Sequence, residues 1–129
     1  MILKGYIFSR PFLEERVPQH VQNIVIKDFC QKRNFNFLLS VSEYSMPNSF
    51  YILKDLLNNL TGLHGVVAYS IFQMPYDDKE RKFVFKKILN KKKKIFFACE
   101  NLEVSNNNDV DRVESIWLVK KASLKKEKD

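Results

Sequence analysis

Several polar and charged side chains stand at the ends of apolar runs in this sequence, and their types suit binding and protonation of an anionic ligand. The candidates, in chain order, are Ser9, Arg10, Arg16, Gln19, His20, Glu43, Tyr44, Ser70, Gln73 and Glu100. If the runs are parallel strands, their carboxyl ends meet at one edge of a sheet, where ligands of such folds collect. The residue types locate a site without specifying a reaction, or whether the chain is an enzyme.

Each candidate has a role that its chemistry suits. Arg10 and Arg16 offer the planar fork of donors that binds a phosphate or carboxylate. Histidine is the side chain type that changes its charge near neutral pH, so His20 suits proton transfer with Glu43 or Glu100. The other candidates suit the binding and orientation of substrate hydroxyl groups, and they are Ser9, Gln19, Tyr44, Ser70 and Gln73.

Structural roles compete with these functional ones. Arg10 can pair with Glu43 or Glu100 across neighbouring strand ends, and His20 can cap or pack against a helix start. The motifs of familiar sites are missing, because three glycines make no Gly-rich phosphate loop and there is no His and Cys pairing at metal spacing and no Gly-x-Ser-x-Gly elbow. We therefore predict no metal and no cofactor.

Four apolar runs alternate with segments of helical periodicity, which is typical of a largely parallel sheet covered by helices. The runs are 3–9, 35–41, 66–72 and 95–99. The predicted fold is an α/β three-layer open sheet of about four mainly parallel strands flanked by helices, flavodoxin-like.

Three helices are predicted between the runs, and each has an apolar stripe that should face the sheet. The stripes are Val21, Ile24, Val25 and Phe29, then Ile52, Leu53, Leu56, Leu57 and Leu60, then Phe83 or Val84 with Ile88 and Leu89. Ser49 is predicted to cap the second helix, and Asp77 or Asp78 the third. The segment 110–119 is predicted to be a last short helix or strand.

The net charge of +7 is concentrated in two places. The run 91–94 contributes +4 and the segment 120–129 contributes +3, which leaves the remainder neutral. Such runs are more typical of solvated surface than of a nucleic-acid interface, so nucleic acid is not the expected partner. We predict one α/β domain over 1–119 and a lysine-rich C-terminal tail over 120–129.

The cysteines and the apolar runs bear on location. Cys30 and Cys99 fall in segments that resemble a helix and a strand, so both are predicted to be core thiols. No apolar run approaches the roughly 20 residues of a membrane span, and Met1 leads directly into the first strand without a leader. The predicted location is the cytoplasm.

Six short motifs spread over nearly the whole chain carry a family resemblance. They are KGYIFSRPF at 4–12, RVPQHVQN at 16–23, YSMP at 44–47, YSIFQMP at 69–75, FACENL at 97–102 and RVESIW at 112–117. Together they resemble the bacterial family called sporadic carbohydrate cluster proteins. Its members are encoded among genes for surface polysaccharide and lipopolysaccharide sugars, so the resemblance implies a role in making or modifying a sugar intermediate, with no mechanism attached.

A looser resemblance is to the catalytic domain of serine recombinases. It rests on a first strand beginning Gly5-Tyr6, a helix carrying glutamine, and the order of strands and helices. Alignment on Gly5-Tyr6 places Phe8 where that family has its Tyr-x-Arg arginine and Arg10 where it has its nucleophilic serine. The family's Asp-Arg-x-x-Arg motif is replaced by 72–75, Phe-Gln-Met-Pro. The resemblance therefore implies the architecture without strand-exchange chemistry.

Two hypotheses follow. In the first, the chain is a cytoplasmic protein of surface-carbohydrate biosynthesis that binds or modifies an anionic or phosphorylated sugar at the strand ends. In the second, it is a non-catalytic resolvase-like module that forms a homodimer through 110–119, with its lysines contacting DNA or an acidic partner. Trp117 is predicted to distinguish them, because removal of an interface tryptophan should yield monomers.

Overall fold

The computed structural model describes residues 1–128, so Asp129 of the predicted tail lies outside the described residues. The strands are β1 (Ile2–Phe8), β2 (Asn36–Glu43), β3 (Gly65–Ala68), β4 (Lys94–Phe97) and β5 (Leu102–Val104). The helices are α1 (Gln19–Lys32), α2 (Tyr51–Asn58), α3 (Asp78–Asn90) and α4 (Asn107–Lys128), and a 3-10 turn covers Ile71–Gln73.

One mixed sheet of five strands runs through the domain in the order β2-β1-β3-β4-β5. The first four strands are parallel, which confirms the predicted class and the predicted strand direction. The strand count was low by one, because β5 pairs antiparallel with β4 over three residues and is too short to show a periodic pattern.

Helices cover both faces of the sheet, as the nearly continuous apolar runs require. On one face, Leu3 and Ile7 of β1 pack with Ile26 of α1. On the other face, Tyr6 and Phe8 pack in a larger core that α2, α3 and α4 complete. The alternation of β1 side chains between the two cores fixes its register in the centre of the sheet.

The pairing of β1 with β2 is irregular at Gly5. The register shifts between Lys4 and Tyr6, so that Leu39 and Ser40 of β2 face one residue of β1. A Cβ atom on Gly5 would lie 2.2 Å from Ser40 Oγ, so only glycine fits at this bulge.

The predicted α1 stripe was rotated relative to the real one. In α1 the buried residues are Gln22, Ile26, Phe29 and Cys30, whereas Ile24 is exposed. The α3 stripe is confirmed in its Val84 alternative, because Val84 and Ile88 are buried and Phe83 is exposed. Asp77 caps α3 as predicted, accepting a hydrogen bond from the Glu80 backbone N–H at 3.0 Å.

Two predictions about individual residues were wrong. Ser49 does not cap α2, whose N-cap residue Phe50 makes no side-chain cap hydrogen bond. Cys30 is buried as predicted, but Cys99 is exposed, because β4 ends at Phe97 and Cys99 lies in the turn that follows.

The final segment forms α4, which continues past residue 119 to Lys128. The helix shows no boundary at residue 119, and the division into 1–119 and 120–129 stays a prediction. Within residues 1–128, none of the helices combines the length and apolar character that a membrane crossing requires.

Candidate functional site

The structure divides the sequence-predicted residues into two clusters, an exposed group, and Gln73, which pairs separately with Gln22. Ser9, Arg10 and Tyr44 lie around Glu43, in what we call the Glu43 cluster. Ser70 and Glu100 are hydrogen-bonded to each other in a second group, the Glu100 cluster. The exposed group is Arg16, Gln19 and His20.

The Glu43 carboxylate is buried and holds the start of α2. Its oxygens accept five hydrogen bonds, from Tyr6 Oη, Ser49 Oγ and the backbone N–H groups of Tyr44, Ile52 and Leu53. The three backbone contacts are 3.0–3.1 Å long. Glu43 thus provides, from a neighbouring strand, the capping interaction that the N-terminus of α2 lacks locally.

Tyr6 is the buried partner of this carboxylate. Its hydroxyl donates to Glu43 Oε1 at 2.9 Å. Burial raises the pKa of Tyr6, and the Glu43 charge raises it further, so the phenol stays protonated and remains a donor. Ser9 adds a hydrogen bond from its hydroxyl to the Glu43 carbonyl at 2.8 Å.

Arg10 forms no ion pair with Glu43 or Glu100, the two carboxylates that the sequence analysis named as its structural partners. Its Nη1 donates to the Tyr44 carbonyl at 2.7 Å, and its guanidinium carbon lies 4.2 Å from the Phe8 ring centre and 5.1 Å from that of Phe50. In the part of the chain that the structure describes, no carboxylate lies within 4.0 Å of its nitrogens. Arg10 is therefore a cation held by aromatic rings rather than by an opposite charge.

The Glu100 cluster ties the turn after β4 to the end of β3. Glu100 accepts from Ser70 Oγ at 2.7 Å and from the Ile71 N–H at 2.8 Å. Ser70 also caps the 3-10 turn, accepting from the Phe72 N–H at 3.1 Å. Burial raises the pKa of the Glu100 carboxyl above its ordinary value, with the two hydrogen bonds opposing the change.

We expect Glu100→Gln to flatten the pH dependence of stability. A carboxyl whose pKa is raised on folding binds its proton more tightly in the native state, so stability falls as pH rises. The fall begins near the unfolded value of about 4.3 and ends above the raised folded value. Urea unfolding of both proteins from acid to neutral pH measures this, with exposed Glu103→Gln as the control. An unchanged slope in Glu100→Gln would contradict the assignment.

Gln73 lies in a buried amide pair that sequence reasoning missed. Its Nε2 donates to Gln22 Oε1 at 2.7 Å, and Gln22 bonds both the N–H and the carbonyl of Phe8, at 3.0 and 2.9 Å. Gln22 therefore locks α1 to the end of β1. The available signal was its position four residues before Ile26, where a polar side chain occupies the buried stripe.

The exposed group does not join either cluster. Arg16 lies on the linker before α1, whereas Gln19 and His20 begin that helix. Within residues 1–126, none of these three side chains makes a hydrogen bond or ion pair. Their predicted roles in anion binding and proton transfer stay predictions.

A cavity of about 380 Å³ opens beside Arg10 at the carboxyl edge of the sheet. Its lining comes from the end of β1 and its following loop, the loop after β2, the 3-10 turn region and α4, and consists of Phe8, Arg10, Pro11, Phe12, Leu13, Ser45, Pro47, Asn48, Phe50, Phe72, Met74, Tyr76 and Trp117. Glu100, Ser70 and Gln73 do not line it. Sequence reasoning named Arg10 and missed the aromatic walls, which are contributed by four separate segments.

Among residues 1–126, whose side chains the structure describes, no three His, Cys, Asp or Glu side chains are grouped so that they could hold a metal ion. That the chain binds no metal stays a prediction.

The fold matches those of site-specific recombinases. The N-terminal catalytic domain of TP901-1 integrase superimposes with a TM-score of 0.66 and 11% sequence identity, covering 96% of this chain and 98% of that one. A resolvase family site-specific recombinase from Streptococcus pneumoniae superimposes with a TM-score of 0.67 and 7% identity, covering 98% and 93%. The sequence matches no protein-family model and no curated protein.

These comparisons define the class of the molecule as an α/β domain with a resolvase-like fold. Identities of 11% and 7% show the architecture alone. The chemistry has to be argued from the side chains of this chain.

Proposed function

We propose that this chain is a resolvase-like interaction module that self-associates through the outer side of α4 and lacks strand-exchange chemistry. The observation that carries the proposal is the exposure of Leu118 and Val119, whose side chains are 71% and 69% accessible. Leu118 and Val119 are continuous with the apolar walls of the grooves beside them, and a contiguous exposed apolar patch marks a surface that can meet a partner.

The opposite side of α4 is already occupied within the subunit. Val113 and Trp117 are buried in the core, and Trp117 Nε1 donates to the Ile71 carbonyl at 3.1 Å. Trp117 therefore belongs to the monomer core, and it cannot be the interface residue that the sequence suggested. We therefore assign the interface to Leu118 and Val119, the next two residues of α4.

The outer side of α4 has apolar grooves on both flanks. Leu118 lines a groove of about 540 Å³ with Tyr76 and Leu124, and Val119 borders another with Phe72. A second copy of α4 laid along this side would fill both grooves with Leu118 and Val119 of the partner, in the manner of ridges packing into grooves.

The strand-end residues support the absence of recombinase chemistry. After β3, where the resemblance expects arginines, the chain has Gln73, Met74 and Pro75, all of them buried. A phosphoryl transition state needs several convergent cations, and here Arg10 is the one arginine lining the cavity among the described residues.

We expect Leu118→Glu combined with Val119→Glu to convert a dimer into a monomer. Two carboxylates in an apolar interface lose their hydration without gaining a partner, which disfavours association strongly. Light scattering after gel filtration gives the mass. Phe83→Glu is the matched control, because Phe83 is an exposed apolar residue on the outer side of α3.

A monomeric wild type, or an unchanged mass in the double variant, would contradict the proposal. The same preparations test the lysines of α4. Retention on DNA that weakens with salt and disappears in Lys125→Ala with Lys126→Ala would add nucleic acid as a partner.

A second candidate function is the binding of an anionic sugar in surface-carbohydrate biosynthesis, as the motif resemblance implies. The observation that favours it is Arg10, whose guanidinium lines a cavity without a neutralising carboxylate. Thermal-shift measurements with acidic sugars and sugar phosphates test it. Stabilisation of the wild type that is lost in Arg10→Ala would support this candidate, and no stabilisation would count against it.

A further inference from the structure

We propose that the cavity beside Arg10 binds a small ligand that joins an anionic group to a flat ring, as an aryl carboxylate or a nucleoside monophosphate does. The inference does not rest on self-association, and it goes beyond the second candidate function, because it assigns the same cavity a ligand of a different chemical class from an anionic sugar. It rests on the cation, the walls and the position of the hydrogen-bonding groups.

The cation is Arg10, which uses one of its donors within the protein. A guanidinium has five N–H donors in a planar fork, and the hydrogen bond to the Tyr44 carbonyl accounts for one of them. Among the side chains that the structure describes, those of residues 1–126, no carboxylate neutralises it. The remaining edge suits a carboxylate or phosphate, which binds such a fork in a bidentate manner.

The walls of the cavity are aromatic and are held in place by one another. Phe8 and Phe12 pack edge to face with ring centres 5.8 Å apart, and Trp117 packs in the same way on Phe72 and Tyr76, at 5.1 and 5.9 Å. Such a pre-formed space suits a flat ring, which contacts aromatic walls by stacking or edge-to-face packing.

The loop between β1 and α1 forms one side of the cavity with an unusual turn. Phe12 and Glu15 exchange two backbone hydrogen bonds of 2.9 Å, and the two residues between them, Leu13 and Glu14, have φ angles of 48° and 69°. Left-handed backbone is costly for a leucine, and it is tolerated where the surroundings need the side chain in that place. Here Leu13 is a wall of the cavity.

The position of the polar groups favours a flat ring over a bare polyhydroxyl sugar. Ser70 and Glu100 bond to each other, Gln73 bonds to Gln22, and none of these side chains lines the cavity. Ser45 and Asn48 are the uncharged polar residues that do. A sugar with several hydroxyls would lose its hydration against phenyl rings with few partners to replace it.

Titration of the wild type with benzoate and with uridine 5′-monophosphate tests the proposal. Trp117 is the one tryptophan of the sequence and lies in the cavity wall, so ligand entry is expected to change its fluorescence. Calorimetry gives the affinity, which we expect to fall about tenfold or more in Arg10→Ala and less in Arg10→Lys, which keeps the charge without the fork. Arg112→Ala is the control, because Arg112 is exposed and outside the cavity.

Three further ligands distinguish this proposal from binding of a ring alone, of an anion alone or of an anionic sugar. Uridine, inorganic phosphate and glucose 1-phosphate should bind much more weakly, because each lacks either the anion or the flat ring. Glucose 1-phosphate binding as tightly as the nucleotide would overturn the flat-ring class while leaving the anionic-sugar candidate standing. Equal binding by wild type and folded Arg10→Ala, or no binding of either probe, would overturn the site.

Discussion

Replacing Glu43 with alanine is expected to lower the free energy of unfolding by about 3–5 kcal/mol. The substitution removes the acceptor of five hydrogen bonds and leaves the buried Leu53 N–H at the start of α2 without a partner. The Tyr6 hydroxyl also loses its acceptor in the core. Urea denaturation followed by circular dichroism measures the effect, with exposed Glu15→Ala as the matched control.

The milder variant Tyr6→Phe distinguishes the contribution of the phenol to stability from that of the helix cap. Tyr6→Phe removes one donor and keeps the four others, so we expect a loss of about 1–3 kcal/mol. A stability change in Glu43→Ala no larger than that of Glu15→Ala would contradict the structural role of the carboxylate and reopen its assignment to proton transfer.

Trp117→Ala is expected to cost about 3–5 kcal/mol of stability, as truncation of a buried aromatic does. Trp117 is 1% exposed, bonds the Ile71 carbonyl, and supports the guanidinium of Arg81, which lies 4.3 Å from its ring. Arg81 in turn holds Glu114 of α4 through contacts of 2.6 and 2.8 Å. Trp117 therefore supports the ion pair between Arg81 and Glu114 that joins α3 to α4.

Phe83→Ala is the control for this variant, since Phe83 is an exposed aromatic residue on the outer side of α3. It should change stability by less than about 0.5 kcal/mol. Trp117 lies in the monomer core. The fraction of the Trp117→Ala variant that still folds should therefore self-associate as the wild type does. A variant that keeps wild-type stability and becomes monomeric would instead place Trp117 in the interface.

The sheet was predictable because its strands carry a strong signal. Buried parallel strands read as continuous apolar runs, and 66–72 is such a run, although the strand itself ends at Ala68 and the rest forms the 3-10 turn. The β5 strand was missed because three residues cannot show a period. The α1 stripe was rotated because Gln22 is buried by hydrogen bonds to Phe8, which no hydropathy pattern includes.

The candidate site was predicted in part for a similar reason. Polar residues at strand ends could be found along the chain, so Arg10 and Glu43 were named. The groups that they contact lie in other segments of the chain. Glu43 accepts a hydrogen bond from the Ile52 N–H at the start of α2, and the rings around Arg10 include Phe50. Such contacts depend on the packed loops rather than on local patterns, so a buried cap resembled an acid–base candidate.

The most direct measurement is sedimentation velocity of the unmodified chain over a wide concentration range. Association through Leu118 and Val119 predicts a concentration-dependent shift from the mass of one chain, 15.3 kDa, to twice that mass. The shift should be absent when both residues are glutamate. A single species of one-chain mass at every concentration would contradict the interaction module.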